Sequence, residues 1–213
     1  MVKEVSDERR WLLDALKAEF VPNLRRLGFK GTGNRFTRLR SPFIDCVWLW
    51  TYNRQIRIEV ALHTTFWPTV LGKTPDVKRL HVADCDFRKT IAPPTRGGFG
   101  WSYGESPEQS SRTVMAMARA YEEKGETTLA KFQTLPGPFA LITEADVDSG
   151  IVKTAFDWQG PVRVAMRLAQ MYEYLGQPTK ALAFARAGLR NLGQATRLKE
   201  PLEEIESRCA DRV

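Results

Sequence analysis

Cysteine is scarce in this chain. Cys46, Cys85 and Cys209 are the only three in 213 residues. They are odd in number, far apart and without a C-x-x-C pair, which argues against a disulfide framework, a zinc knuckle or a thioredoxin-like couple. A reducing, cytoplasmic setting is expected. Histidine is scarcer still, with only His63 and His81, and no nucleophile elbow accompanies them, so Ser-His-Asp catalysis is not predicted. No apolar run approaches the roughly 18 residues that a membrane-spanning helix needs. The opening residues, MVKEVSDERR, mix acids and bases where a signal peptide would have a basic start and an apolar core. Neither a secreted nor a membrane protein is predicted. A dense Lys/Arg block is also missing, as is any low-complexity segment.

What is present is ordinary globular material. Hydrophobic residues make up 43% and charged residues 27%, so the chain can bury a core and is not disordered. Its length suits one domain with an extension or two small domains. The formal net charge is +7, unevenly spread. Residues 1–100 hold 18 bases against 10 acids, residues 101–150 hold 4 against 8, and residues 151–213 hold 10 against 7. The basic half favours an anionic partner through long-range attraction, either an acidic protein surface or nucleic acid. A merely solvated surface is the plainer alternative.

Periodicity divides the chain. From Asp7 to Leu27 the residues Leu12, Leu13, Leu16, Phe20, Leu24 and Leu27 recur at three and four, predicting an amphipathic helix. Pro22 should kink or split it, and Gly28 should end it. Gly31, Gly33 and Asn34 then mark a turn, and a strand begins near Arg35. Residues 43–52 and 55–66 are rich in β-branched and aromatic side chains and are parted by Asn53-Arg54, which predicts an antiparallel meander. In the second of these, Ile56, Ile58, Val60 and Leu62 share one face, and Arg57, Glu59, Ala61 and His63 the other. In the first, Cys46, Trp48, Trp50 and Tyr52 oppose Val47 and Leu49, so that strand should be central or roofed. A further strand is expected over residues 78–88. A long loop rich in Pro93, Pro94, Gly97, Gly98, Gly100 and Gly104 should follow, held down by Phe99 and Trp101. Helical periodicity returns near Val114 and, after the break at Leu135-Pro136-Gly137-Pro138, dominates to the end. The expectation is an α+β protein: an antiparallel sheet of about four strands flanked by an N-terminal helix, residues 1–134, followed by a helical region, residues 135–213.

The run Leu27, Gly28, Phe29, Lys30, Gly33, Phe36 and Arg38 resembles the opening of an uncharacterised bacterial domain of unknown function: a helix, a Leu-Gly-Phe-Lys turn, a glycine and a Phe-x-Arg strand. The likeness continues through the tryptophan-bearing strand to Asp84-Cys85-Asp86-Phe87-Arg88 and on to Gly100-Trp101, covering residues 8–125. Trp48-Leu49-Trp50 stands where that family usually shows glutamine. No residue-level function comes with the resemblance, and some members in toxin and immunity neighbourhoods imply a binding role by association alone. Leu168, Ala169, Tyr172, Gly176, Ala181 and Gly188 are similar to a single tetratricopeptide unit, which implies a helical hairpin docked on the rest, because solenoids need about three repeats.

No motif of catalysis or cofactor binding is specific enough to carry a function, and no cofactor or metal is expected. His81, Asp84 and Asp86 form an H-x-x-D-x-D string, but on a strand His81 would point away from the two acids. Along a strand, His63 and Glu59 lie about 13 Å apart, too far to act as a pair. Cys46 and Cys85 read as core. Gly31-x-Gly33 and Gly98-x-Gly100 lack the strand and helix context of phosphate loops, and Asp146-x-Asp148 lacks the glycine and glutamate of a calcium loop. What remains is a surface: Trp48, Trp50 and Tyr52 near Arg35, Arg38, Arg40, Arg54 and Arg57. Arginine among aromatics suits protein hot spots and stacked bases alike. The simplest expectation is that the C-terminal helices cover these aromatics; a protein-binding groove or a nucleic-acid surface is the alternative. The candidate binding residues are Arg35, Arg38, Trp48, Trp50, Arg57, His63 and Trp101. The expected role is a non-enzymatic interaction module, of immunity or stress-associated type, for an acidic protein partner; a nucleic-acid-binding accessory protein is the alternative, and an enzyme using His63 or the His81 region a third.

Overall fold

A computed structural model describes residues 6–70, 72–93, 99–157 and 160–213. The N-terminal stripe forms α1 (Asp7–Ala15), a π turn (Leu16–Phe20) and α2 (Val21–Arg26). The helix is neither broken nor sharply ended at Pro22. The wider π turn just before it takes up the irregularity that a proline without an N–H imposes, and Pro22 sits in the first turn of α2, where that donor is not needed. Leu12, Leu16, Phe20 and Leu24 stay on one buried stripe throughout.

Six strands follow: β1 (Lys30–Thr32), β2 (Arg35–Arg40), β3 (Phe43–Tyr52), β4 (Gln55–Thr64), β5 (Phe87–Ile91) and β6 (Trp101–Ser102). All pair antiparallel in the order β1-β2-β3-β4-β5, and β6 joins the same side of β4 beyond β5. The Asn53-Arg54 break is a two-residue hairpin turn with both residues at positive φ, 45° and 58°. That conformation suits the twist of paired strands but strains a residue with a Cβ such as Arg54.

Two sequence expectations are corrected here. Residues 78–88 are not a strand: Val82–Asp84 is a 3₁₀ turn and the strand begins only at Phe87. The His81 ring accepts the Ala83 N–H while Asp84 accepts the His81 N–H, and these reciprocal bonds outcompete a ladder. The expected loop is interrupted at Trp101, whose short strand pairs with Gln55 and Ile56. Pro94, Gly97 and Gly98 lie outside the described residues.

One sheet face carries the core. Phe36, Phe43, Val47, Leu49, Ile56, Ile58, Val60, Leu62, Phe87 and Ile91 are buried there, under α1, α3 (Pro107–Ala120) and the π turn Tyr121–Glu126. Tyr121 packs edge-on against Phe20 and Phe29. A Cβ on Gly125 would come within 2.7 Å of the Tyr121 ring, which is why that turn can lie so close to Val60. Short α4 (Thr127–Leu129) and α5 (Glu144–Asp148) lead to a hairpin of α6 (Pro161–Tyr174) and α7 (Pro178–Arg190), with α8 (Lys199–Ala210) across it. A continuous apolar cluster runs from Leu12 to Cys209. At the end of the sheet near Thr64 and Asp86, α6 is fastened by Arg167 on Asp86, by the Arg167 guanidinium against Trp67, and by Tyr174 stacked on Phe66.

Candidate binding site on the open sheet face

The opposite sheet face is only half covered. Strand alternation places Arg35 and Leu39 of β2, Ile44, Cys46, Trp48, Trp50 and Tyr52 of β3, Arg57, Glu59, Ala61 and His63 of β4, and Arg88 and Thr90 of β5 on this side. Over the Ile44, Cys46 and Ala61 half, the chain from Val77 to Cys85 packs Leu80, Val82 and Cys85 into a second, smaller apolar cluster. The Cys85 thiol approaches Cys46 to 4.0 Å, and burial pushes its pKa up. The expected cover by C-terminal helices is therefore not what is found: a loop does the covering, and it stops at Trp48.

Beyond that roof the described residues cover the face only in part. Trp48 packs edge-on between Trp50 and His81, with centroid separations of 4.4 and 4.1 Å. Arg57 lies over the Trp50 and Phe99 rings and pairs with Glu59 at 2.7 Å. Arg35 is exposed directly across from Trp48, and Glu59 faces Trp48 on one side and Thr90 on the other. Arg57, Glu59, Arg88 and Thr90 line a cleft of ≈ 270 Å³.

This face concentrates unpaired donors. Among the described residues, six side-chain nitrogens are buried without a hydrogen-bond partner, and four of them are here: Trp48 Nε1, Arg57 Nε, His81 Nε2 and Arg88 Nε. The other two, His63 Nε2 and Trp67 Nε1, lie beside each other at the end of the sheet where α6 docks. Because His81 Nδ1 accepts the Ala83 N–H, the neutral ring carries its proton on Nε2. Burial lowers the His81 pKa and the field of Arg35 lowers it further, which favours that neutral form. All four are therefore donors, and among the described residues no unpaired buried side-chain acceptor accompanies them. A buried donor without a partner costs about 1–3 kcal/mol, so four together form a surface suited to a group that only accepts.

The structure gathers Arg35, Trp48, Trp50 and Arg57 on this face and places the remaining candidates elsewhere. Arg38 points to the core side. It donates to Asp45 at 2.8 Å, to Glu126 at 2.8 Å and to the Leu27 carbonyl. Burial opposes its charge, but Glu126 and Asp45 outweigh that cost and raise its pKa. Arg40 joins it on Asp45. His63 shares the alternation of Arg57 but is sealed beside Trp67, its Nδ1 accepting the Thr64 N–H; desolvation lowers its pKa. Trp101 is buried on the core face. Sequence reasoning did not single out His81, Arg88, Thr90 or Glu59 for this surface. Arg88 and Thr90 carry the i, i+2 signal of a shared strand face, but a strand expected to begin at residue 78, nine residues before the observed start at Phe87, ends before that signal is complete. No group of three His, Cys, Asp or Glu side chains among the described residues is arranged to hold a metal ion. No helix among them is long and apolar enough to cross a membrane.

Compared with known proteins, residues 20–131 match the model of a family described as a domain of unknown function, DUF4304. The matched segment runs from the π turn through all six strands to the end of α4, so it includes the whole open face. No curated protein and no solved structure matches the chain.

Proposed function

The chain belongs to that family, DUF4304, and on that footing we propose that it is a non-enzymatic interaction module whose open sheet face binds an acidic segment of a protein partner. The observation that carries this reading is the clustering of four unpaired N–H donors among half-buried aromatics on a sheet face that the described residues cover only in part. Arg35, Trp48, Trp50, Arg57 and Arg88 form the recognition surface. An aromatic and arginine patch with its donors already positioned is the composition of a protein hot spot.

Two features favour protein over nucleic acid. Trp48 is held edge-on between Trp50 and His81, so its ring is not a free platform for a stacked base. The arginines here are few, and one is neutralised by Glu59, whereas binding through phosphates needs many such contacts. The pair of unbonded thiols Cys46 and Cys85, 4.0 Å apart, suits action in a reducing compartment.

The test is tryptophan fluorescence of the full chain titrated with a capped hexaglutamate peptide and, separately, with a single-stranded RNA oligonucleotide at low and high salt. Saturable quenching by the peptide, lost in Trp50→Ala, is expected. RNA binding with a steep salt slope and no response to the peptide would replace this reading with the nucleic-acid one, and silence toward both would remove it.

A further inference from the structure

We infer that the cleft between Arg57, Glu59, Arg88 and Thr90 is a subsite for one carboxylate, supplied by an aspartate or glutamate side chain of the bound segment. The inference rests on the acidic-partner reading and narrows it to a single point of contact.

The cleft lies across three alternate rungs of the sheet, those whose side chains share this face. Arg57 pairs with Trp50 on one rung, Glu59 with Trp48 and Thr90 on the next, and Arg88 with Ala61 on the third. The two arginines thus sit on adjacent strands to either side of the central rung, about 7 Å along the strand from it. Each has a buried, unpartnered Nε. Guanidinium groups present N–H donors in a planar fork, and the anion that complements such a fork is the planar carboxylate.

Charge selects among the anions. Glu59 is already held by Arg57 at 2.7 Å, so the four residues lining the cleft carry one unit of net positive charge. With the Asp157 carboxylate also beside the cleft on the Thr90 N–H, the site suits no more than a singly charged carboxylate, and a phosphate dianion overfills it and meets Glu59 at close range. Placement selects the source of the carboxylate. Capture of a chain end usually relies on a nest of backbone N–H groups, and here the Thr90 N–H is already given to Asp157 at 3.1 Å. The donors that line the cleft are side chains standing on the faces of β4 and the edge strand β5, not a nest of backbone N–H groups. These features suit a side chain reaching down from a segment that lies across Trp48 and Trp50.

Side-chain N–H signals in NMR spectra of the full chain test the assignment, because Arg57 Nε–H, Arg88 Nε–H and Trp48 Nε1–H are observed directly. Four capped peptides serve as probes: hexaglutamate, hexaglutamine, a hexapeptide bearing phosphoserine, and hexaalanine with its C-terminal carboxylate left free. Hexaglutamate is expected to shift the two arginine signals and the Trp48 signal together, while hexaglutamine leaves them unmoved. Arg88→Gln should weaken hexaglutamate binding at least tenfold, and Arg88→Lys, which keeps the charge but loses the fork, at least threefold. Glu59→Gln should strengthen binding severalfold, a gain that a misfolded variant cannot produce. If hexaglutamate quenches tryptophan but Arg88→Gln and Glu59→Gln bind as the wild type does, the subsite is overturned and the broader reading stands. Tighter binding of the phosphopeptide overturns the carboxylate preference, and tighter binding of the free-ended hexaalanine overturns the side-chain source. If no acidic probe binds, both readings fall.

Discussion

The Arg167 guanidinium is buried on α6 against the Asp86 carboxylate, which is itself 7% exposed just ahead of β5. This contact joins the C-terminal helices to the sheet. Desolvation lowers the Arg167 pKa and Asp86 pulls it back up, so each charge is tolerable inside the protein because of the other. Arg163, a third of its side chain exposed, makes a second and wetter contact with the same carboxylate. Arg167→Met is expected to destabilise the protein by about 3–5 kcal/mol, because it strands a buried charge. Arg163→Met should cost about 1 kcal/mol or less. Urea denaturation midpoints distinguish them, and equal losses would mean that the burial of Arg167 does not set the cost.

Arg54 sits at a backbone conformation that a side chain opposes, φ 58°, in the hairpin between β3 and β4. Glycine relieves that strain, and the exposed ion pair with Glu8 contributes little in return. Arg54→Gly is therefore expected to raise stability by about 1 kcal/mol, read as a higher thermal midpoint. A lower midpoint would show that the Glu8 contact outweighs the strain.

Gly100 lies against the backbone of Ile56, and a Cβ there would overlap the Ile56 carbonyl carbon at 2.6 Å. Backbone cannot rotate away as a side chain can. Gly100→Ala is expected to destabilise by about 1–3 kcal/mol and to release Trp101, which a rise in hydrogen exchange at the Ile56 and Tyr103 amides would report. Unchanged exchange would contradict the close approach.

Both histidines are held neutral, their pKa values lowered chiefly by desolvation. The unfolded chain, with histidine pKa values of about 6.5, binds protons before the folded one does. Stability is therefore full above that value and is lost as pH falls from about 6.5 toward the lowered folded values. His63 is the more deeply buried, so His63→Gln should flatten the decline between pH 7 and pH 5 more than His81→Gln does. Chemical denaturation across that range is the measurement, and an equally steep decline in both variants would count against the assignment.

Much of the architecture was legible because alternation is strict where one face is buried. Ile56, Ile58, Val60 and Leu62 lie inward as their period requires, and Asn53-Arg54 is the turn between two long strands. The same rule brings Trp48, Trp50 and Arg57 to one face. It also separates Arg35 from Arg38, since residues three apart on a strand cannot share a side, and proximity in sequence concealed that. The segment around His81 was illegible for another reason: its apolar residues alternate plausibly, but two side-chain bonds to its own backbone decide the conformation. Arg88 and Thr90 were then missed, because a misplaced strand ends where their alternation begins. The orphaned donors have no sequence signature, for the lack of a partner is a property of the assembled surface.

The strip of chain from Val77 to Cys85 acts as an awning that shades one half of the sheet and leaves the other in daylight. Its hem is the His81 ring, fixed by two bonds within its own turn. Loosening that turn, by replacing Asp84 for instance, would change how much of the tryptophan surface is on display while leaving every strand in place. How much of the tryptophan surface is uncovered is thus set by a few residues that do not belong to the sheet at all.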